Sequence, residues 1–224
     1  MTTADSPPLA PIPPATRAPL VAVARAIFPA LIHLEVKGLE NVPPTGPLIV
    51  AFNHLSHLDP PLVVVTTPRE LECIALADLA DVPVTGRLLK SYGVIWVRRN
   101  ELDRNVLAES LAVLGAGRAL ALAPEARISA TGALMAGHGG VAWLAARSGA
   151  PVVPAAMTGT EVGIEAWRRL RRPRLSITYG APLCLPLPIG LPPAERRACL
   201  AANTETLMRA IAALLPSQYR GVYE

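Results

Sequence analysis

Short, almost wholly apolar runs recur along this chain, and segments of helical pattern separate them. Leu48–Phe52, Ala119–Ala123 and Val152–Met157 carry no charged residue at all. A strand that is apolar at consecutive positions has both faces buried. That is the mark of a parallel sheet covered by helices on each side, because an antiparallel sheet with one wet face would alternate. Four more strands are expected at Leu34–Lys37, Leu71–Ala77, Val94–Val97 and Leu175–Tyr179. Helices are expected at Pro60–Thr66, Val84–Ser91, Arg104–Leu114, Gly139–Ser148, Glu161–Leu170 and Pro192–Leu215. The fold class that follows is α/β: a single domain with a mainly parallel, mixed sheet flanked by helices.

The two ends of this pattern differ. Six prolines fall between residues 1 and 19, so residues 1–17 are expected to form a disordered proline-rich tail. Residues 18–33 read as an apolar helix broken only by Arg25 and Pro29. Fifteen helical residues span about 22 Å, short of the roughly 30 Å hydrocarbon core, so a membrane crossing is not expected. Two roles fit this helix: lying in a membrane interface, or packing on the protein's own core. Residues 34–224 would then make the main domain, with Pro182–Pro193 as an internal connector.

Composition narrows the partners. Hydrophobic residues are 51% of the chain and charged residues 17%, which excludes wholesale disorder and makes a membrane surface a candidate partner. The net charge of +4 comes with only 4% aromatics, a poor basis for stacking on bases, so no nucleic-acid partner is expected. Five arginines between Arg168 and Arg174 could meet anionic headgroups, or could simply end a helix. Cys73, Cys184 and Cys199 are far apart, form no C-x-x-C pair and read as reduced thiols. With no signal-peptide pattern at the start, a cytoplasmic location is expected, peripheral or monotopic at the membrane face.

The densest polar cluster follows the strand Leu48–Phe52 and reads Asn53-His54-Leu55-Ser56-His57-Leu58-Asp59-Pro60. Strand-end loops of α/β sheets are where ligands bind. His54 and Asp59 lie five residues apart, across a turn that could fold the carboxylate onto one imidazole nitrogen and leave the other free to take a proton. Asp59-Pro60 would equally serve as a helix start, with His54 packing locally. His54, His57 and Asp59 could also be read as ligands of a metal-dependent hydrolase.

Four blocks taken together resemble the glycerolipid acyltransferase family. Asn53-His54-x-Ser56-x-x-Asp59 matches its first motif. Gly93-Val94-Ile95-Trp96-Val97-Arg98-Arg99 is similar to its glycine–hydrophobic strand ending in arginine, with Arg99 at the arginine position. Pro124-Glu125-Ala126-Arg127-Ile128-Ser129 resembles a Pro-Glu-Gly-Thr-Arg-Ser signature, with alanine in place of glycine at Ala126 and the arginine one residue early. Gly149–Met157 matches a strand with two prolines, Pro151 and Pro154, expected to shape an acyl or acceptor pocket. Gly137 and His138 stand where an aromatic and a lysine are common.

The resemblance implies transfer of a fatty acyl group from an acyl thioester to a hydroxyl of a lysophospholipid, with 1-acyl-glycerol-3-phosphate the leading acceptor. His54 and Asp59 would be catalytic. Asn53, Ser56, Arg99, Glu125 and Arg127 would bind substrate, the arginines holding phosphate. No bound cofactor is implied; acyl-CoA or acyl-ACP is the co-substrate, and acyl carrier protein a possible partner. No G-x-S-x-G nucleophile elbow is present, and Ser56 is expected to order the loop rather than attack. The altered third block leaves one rival, a lipid-binding member of the fold without turnover.

Overall fold

A computed structural model describes residues 10–98, 104–187 and 189–224. Its seven strands are β1 (His33–Lys37), β2 (Leu48–Phe52), β3 (Leu71–Leu76), β4 (Ile95–Val97), β5 (Ala119–Leu122), β6 (Val152–Thr158) and β7 (Arg174–Tyr179). They form one sheet in the order β1-β7-β6-β2-β5-β3-β4. All neighbouring pairs are parallel except β6 with β7. The sheet is thus mainly parallel and mixed, as the apolar runs require.

Among the described residues seven α-helices cover it: α1 (Arg17–Leu31), α2 (Asp59–Thr66), α3 (Thr85–Tyr92), α4 (Arg104–Gly115), α5 (Gly140–Ser148), α6 (Gly163–Arg168) and α7 (Pro193–Leu214). Every residue of β2 is buried, and its side chains divide by period two between two cores. Ile49 and Ala51 join the core under α4, α5 and α7, with Val113, Leu144 and Met208. Leu48, Val50 and Phe52 join the opposite core with Leu62, Val63 and partly buried Phe28, under α1 and α2.

The parallel run of β2, β5 and β6 sends three loops out at one end of the sheet. Because β7 runs antiparallel to β6, and β1 parallel to β7, the starts of β1 and β7 lie at that same end. The C-terminus of α1, which feeds β1, therefore sits beside those loops.

The expected boundaries shift at the chain's apolar helix. Arg17 is no part of a loose tail: it opens α1 and is buried. His33 does not close that helix but opens β1. Distant partners explain the first shift. The Arg17 guanidinium pairs with buried Glu72 on β3, donates to the carbonyls of Tyr92 (2.7 Å) and Gly93 (2.8 Å), and stacks 4.6 Å from the Tyr92 ring. Arg118 also pairs with Glu72, and donates 2.6 Å to the Pro11 carbonyl, so described residues before α1 lie against the domain. The segment expected as one helix over Glu161–Leu170 becomes a short helical turn at Thr160–Val162 followed by α6.

Deleting one member of a buried ion cluster strands the others without a counter-charge. Glu72→Ala should cost about 3–5 kcal/mol, whereas Arg17→Met, which leaves Glu72 with Arg118, should cost less. Urea unfolding of the two variants checks the ranking.

Candidate active site

The loop after β2 closes on a single carboxylate. Asp59 is the first residue of α2 and its side chain is 0% exposed. Its Oδ2 accepts hydrogen bonds from the Leu55 amide (2.6 Å), the Ser56 amide (2.7 Å) and His54 Nδ1 (2.8 Å). Two of these tie the backbone between His54 and Asp59 into a tight loop. The third fixes the ring. A carboxylate beside Nδ1 holds the proton there, so Nε2 carries the free lone pair. Asp59 Oδ1 is buried with no hydrogen-bond partner. The Phe52 ring packs edge-on against the imidazole, with centroids 6.1 Å apart. The His54 side chain is 18% exposed, so part of the ring meets solvent.

Two neighbouring loops complete the frame. Glu125, after β5, is buried; its Oε1 accepts the His54 amide (2.9 Å) and its Oε2 the Met135 amide (2.8 Å). Burial, together with the nearby Asp59 charge, holds the Glu125 carboxyl above the usual carboxylate range; the two backbone hydrogen bonds and His54 offset only part of that rise. The Ser129 amide donates 2.7 Å to the His54 carbonyl, so both peptide groups of His54 are held by the loop after β5. From the other side, Asn53 spans to β6: its Nδ2 donates to the Met157 carbonyl (2.9 Å) and its Oδ1 accepts the Met157 amide (2.7 Å).

The expected site residues therefore divide. His54 and Asp59 come together as a dyad. Ser56 Oγ accepts the Leu58 amide at 3.0 Å and orders the loop. Asn53 and Glu125, expected to bind substrate, are buried, and their side chains hydrogen-bond backbone groups of the neighbouring strands and loops. Arg127 is exposed and makes no ion pair among the described residues. Arg99 lies outside the described residues. Pro151 and Pro154 lie just before and within β6. Pro151 accepts the Ile49 amide where β2 begins, and Pro154 is buried opposite Ala51 with its carbonyl bonded to Gly180.

The hydrolase reading finds no support in the geometry. Among the described residues no three His, Cys, Asp or Glu side chains cluster to hold a metal, and His57 is exposed. The backbone partners Met135, Ser129 and Met157 had no signal in the sequence, because any residue supplies an amide.

The acyltransferase family model matches residues 33–158, more than half the chain, and the chain belongs to that family. A 1-acyl-sn-glycerol-3-phosphate acyltransferase of Borreliella burgdorferi is 26% identical over 137 residues, covering 60% of this chain and 55% of that protein. A lyso-ornithine lipid O-acyltransferase of Pseudomonas aeruginosa is 29% identical over 136 residues, covering 60% of this chain and 52% of its own length. The chain thus spans about half the length of these curated relatives. The solved structure of the 1-acyl-sn-glycerophosphate acyltransferase PlsC from Thermotoga maritima shares the fold, with a TM-score of 0.61 at 21% identity, covering 85% of this chain and 77% of that one.

Ala126 holds φ +55°, the left-handed backbone that suits glycine. Alanine in that region costs roughly 1–2 kcal/mol. Ala126→Gly should therefore raise stability by about 1 kcal/mol, seen as a higher Tm; a lower one would contradict the strain.

Proposed function

We propose that this chain transfers an acyl group from a thioester to the hydroxyl of a lysophospholipid-type acceptor. The observation that carries the reading is the His54–Asp59 pair, held at 2.8 Å on a loop whose backbone the same carboxylate fixes. In the reaction, His54 Nε2 takes the proton of the acceptor hydroxyl as that oxygen attacks the thioester carbonyl. The C–O bond forms, the C–S bond breaks, and the departing thiolate takes back the proton. Asp59 keeps the imidazole in the correct tautomer and stabilises the imidazolium. Thiolate is a good leaving group, so no covalent intermediate on the protein is needed.

Acyl-CoA and acyl-ACP both fit as donor. Arg127 and Arg99 are the candidates for an anionic headgroup, since guanidinium suits phosphate. The left-handed Ala126 supports turnover over a silent lipid-binding role, because it shows the altered block adopting the backbone a glycine would. The names of the relatives put both lysophosphatidate and lyso-ornithine lipid on the acceptor panel.

The chain also offers a surface for lipid. No helix among the described residues is long and apolar enough to cross a membrane. Yet Val23, Ile27 and Leu31 form an exposed stripe on α1 at four-residue spacing. Beside its end stands a turn whose tip, Leu170, is 97% exposed at φ +54° and flanked by exposed Arg168, Arg169, Arg171 and Arg172. Trp167 Nε1 donates to the Leu31 carbonyl (3.0 Å) and Arg172 to that of Ile32 (2.9 Å), stitching stripe and turn together at the end where His54 opens. A bilayer with anionic headgroups is the partner this combination fits.

Acyl transfer measured over the acceptor panel with long-chain acyl thioesters decides the reaction. His54→Ala should lower the rate by roughly 10²–10⁴-fold while the protein stays folded, and a chelator should have no effect. Persistence of transfer in that variant would remove the base. For the surface, Leu170→Glu should weaken sedimentation with phosphatidylglycerol vesicles and leave circular dichroism unchanged; equal binding by wild type and variant would remove the turn from the interface.

A further inference from the structure

After α7 the chain turns back over the catalytic end of the sheet in two short helical turns, Ser217–Tyr219 and Gly221–Tyr223. Four hydrogen bonds tie it to the loops there. The Leu134 amide donates to the Tyr219 carbonyl (2.9 Å), and the Val222 amide to the Leu134 carbonyl (3.3 Å). The Gly137 amide donates to Tyr223 Oη (3.1 Å), and Tyr219 Oη donates to Glu161 Oε1 (2.7 Å). Leu134 and Gly137 belong to the loop after β5, Glu161 to the turn after β6. Those two strands flank β2, which carries His54. The segment therefore joins the outer loops of the trio.

The approach is close. Gly221 holds φ +54°, and a Cβ there would overlap the Leu134 carbonyl oxygen. Gly137 is also closely backed: a Cβ on it would stand 2.6 Å from the Met208 side chain on α7. Tyr219 and Tyr223 also pack their rings on the core beneath α5 and α7. Burial and the bond to Glu161 push the Tyr219 hydroxyl up to about 12, so it stays a donor at neutral pH.

From Leu134 the path to the base is two steps. The next residue, Met135, donates its amide to Glu125, and Glu125 accepts the His54 amide with its other oxygen. The loop held in this way also carries the exposed Arg127. We infer that residues 219–223 are a positioning strap, which fixes the Arg127 loop and, through Glu125, the backbone of His54, and so governs binding of the hydroxyl acceptor. The acceptor half of this inference rests on the acyl-transfer reading; the mechanical half does not.

The test uses Tyr219→Phe and Tyr223→Phe, which remove one hydroxyl each, and Gly221→Val, which prevents the close approach. Amide hydrogen exchange comes first. Tyr223→Phe should speed exchange at Gly137, and Gly221→Val at Leu134, Met135 and His54. Kinetics come second. Each variant should raise KM for the lysophospholipid roughly three- to tenfold, as loss of one hydrogen bond predicts, with KM for the thioester nearly unchanged. Leu207→Ala, a destabilising change in the α7 core, should show no such split.

Unchanged exchange at 134–137, or equal rises in both KM values, would overturn the strap. If Gly221→Val does not fold, the two phenylalanine variants decide. If the wild type acylates no acceptor, the acyl-transfer reading fails and exchange alone judges the strap.

Discussion

One oxygen of Asp59 organises the loop that follows β2. Three donors converge on Oδ2, two of them backbone amides and the third His54 Nδ1. A side chain that both folds a loop and orients the residue the loop presents makes the two inseparable: when the turn is formed, the imidazole is already in its tautomer. This explains the spacing of five. The carboxylate must stand at the start of α2, where the chain has reversed, and still reach back over the amides at positions 55 and 56.

Around that oxygen the frame is built mainly from backbone groups bonded to buried polar side chains. Asn53 imitates a strand peptide against Met157, extending the junction of β2 and β6 past the last ladder bond. Glu125 does the complementary task on the β5 side, gathering the amides of His54 and Met135. Both must be polar because they satisfy buried peptide groups, and both must be buried because those groups are. A buried amide left unpaired costs about 1–3 kcal/mol.

The separation of partners along the chain marks how far the sequence could be read. The sheet was legible because burial on both faces leaves β2, β5 and β6 no polar alternation. His54 and Asp59 were legible because their contact is local, within one turn. Asn53 and Glu125 were legible as members of the site, but the peptide groups their side chains hold were not, since one lies 104 residues away and the other 71. Arg17 was misread for the same reason: only the fold brings it to Glu72, 55 residues on. Tyr219 and Tyr223 carried no signal, as their partners are the backbone of a loop and one exposed carboxylate. Local pairings can be seen in a sequence; pairings closed by the tertiary fold cannot.

A base able to deprotonate an alcohol can also deprotonate water, so under the proposed reaction the thioester stands at risk of hydrolysis at the same site. The pKa of the base cannot discriminate between the two nucleophiles, since both are weakly acidic hydroxyls. Discrimination must come from position: a tethered hydroxyl acts at an effective concentration far above what its bulk concentration suggests, while a water must be caught in passing. The loops around His54 fit this demand. Both peptide groups of His54 are pinned, its ring is backed by Phe52 and Asp59, and only a small part of it is exposed. The loop bearing Arg127 is anchored at Ser129, Met135 and Leu134, which leaves its exposed guanidinium on a fixed base. Selectivity for a lipid hydroxyl over water then rests on the rigidity of this frame rather than on any further reactive group.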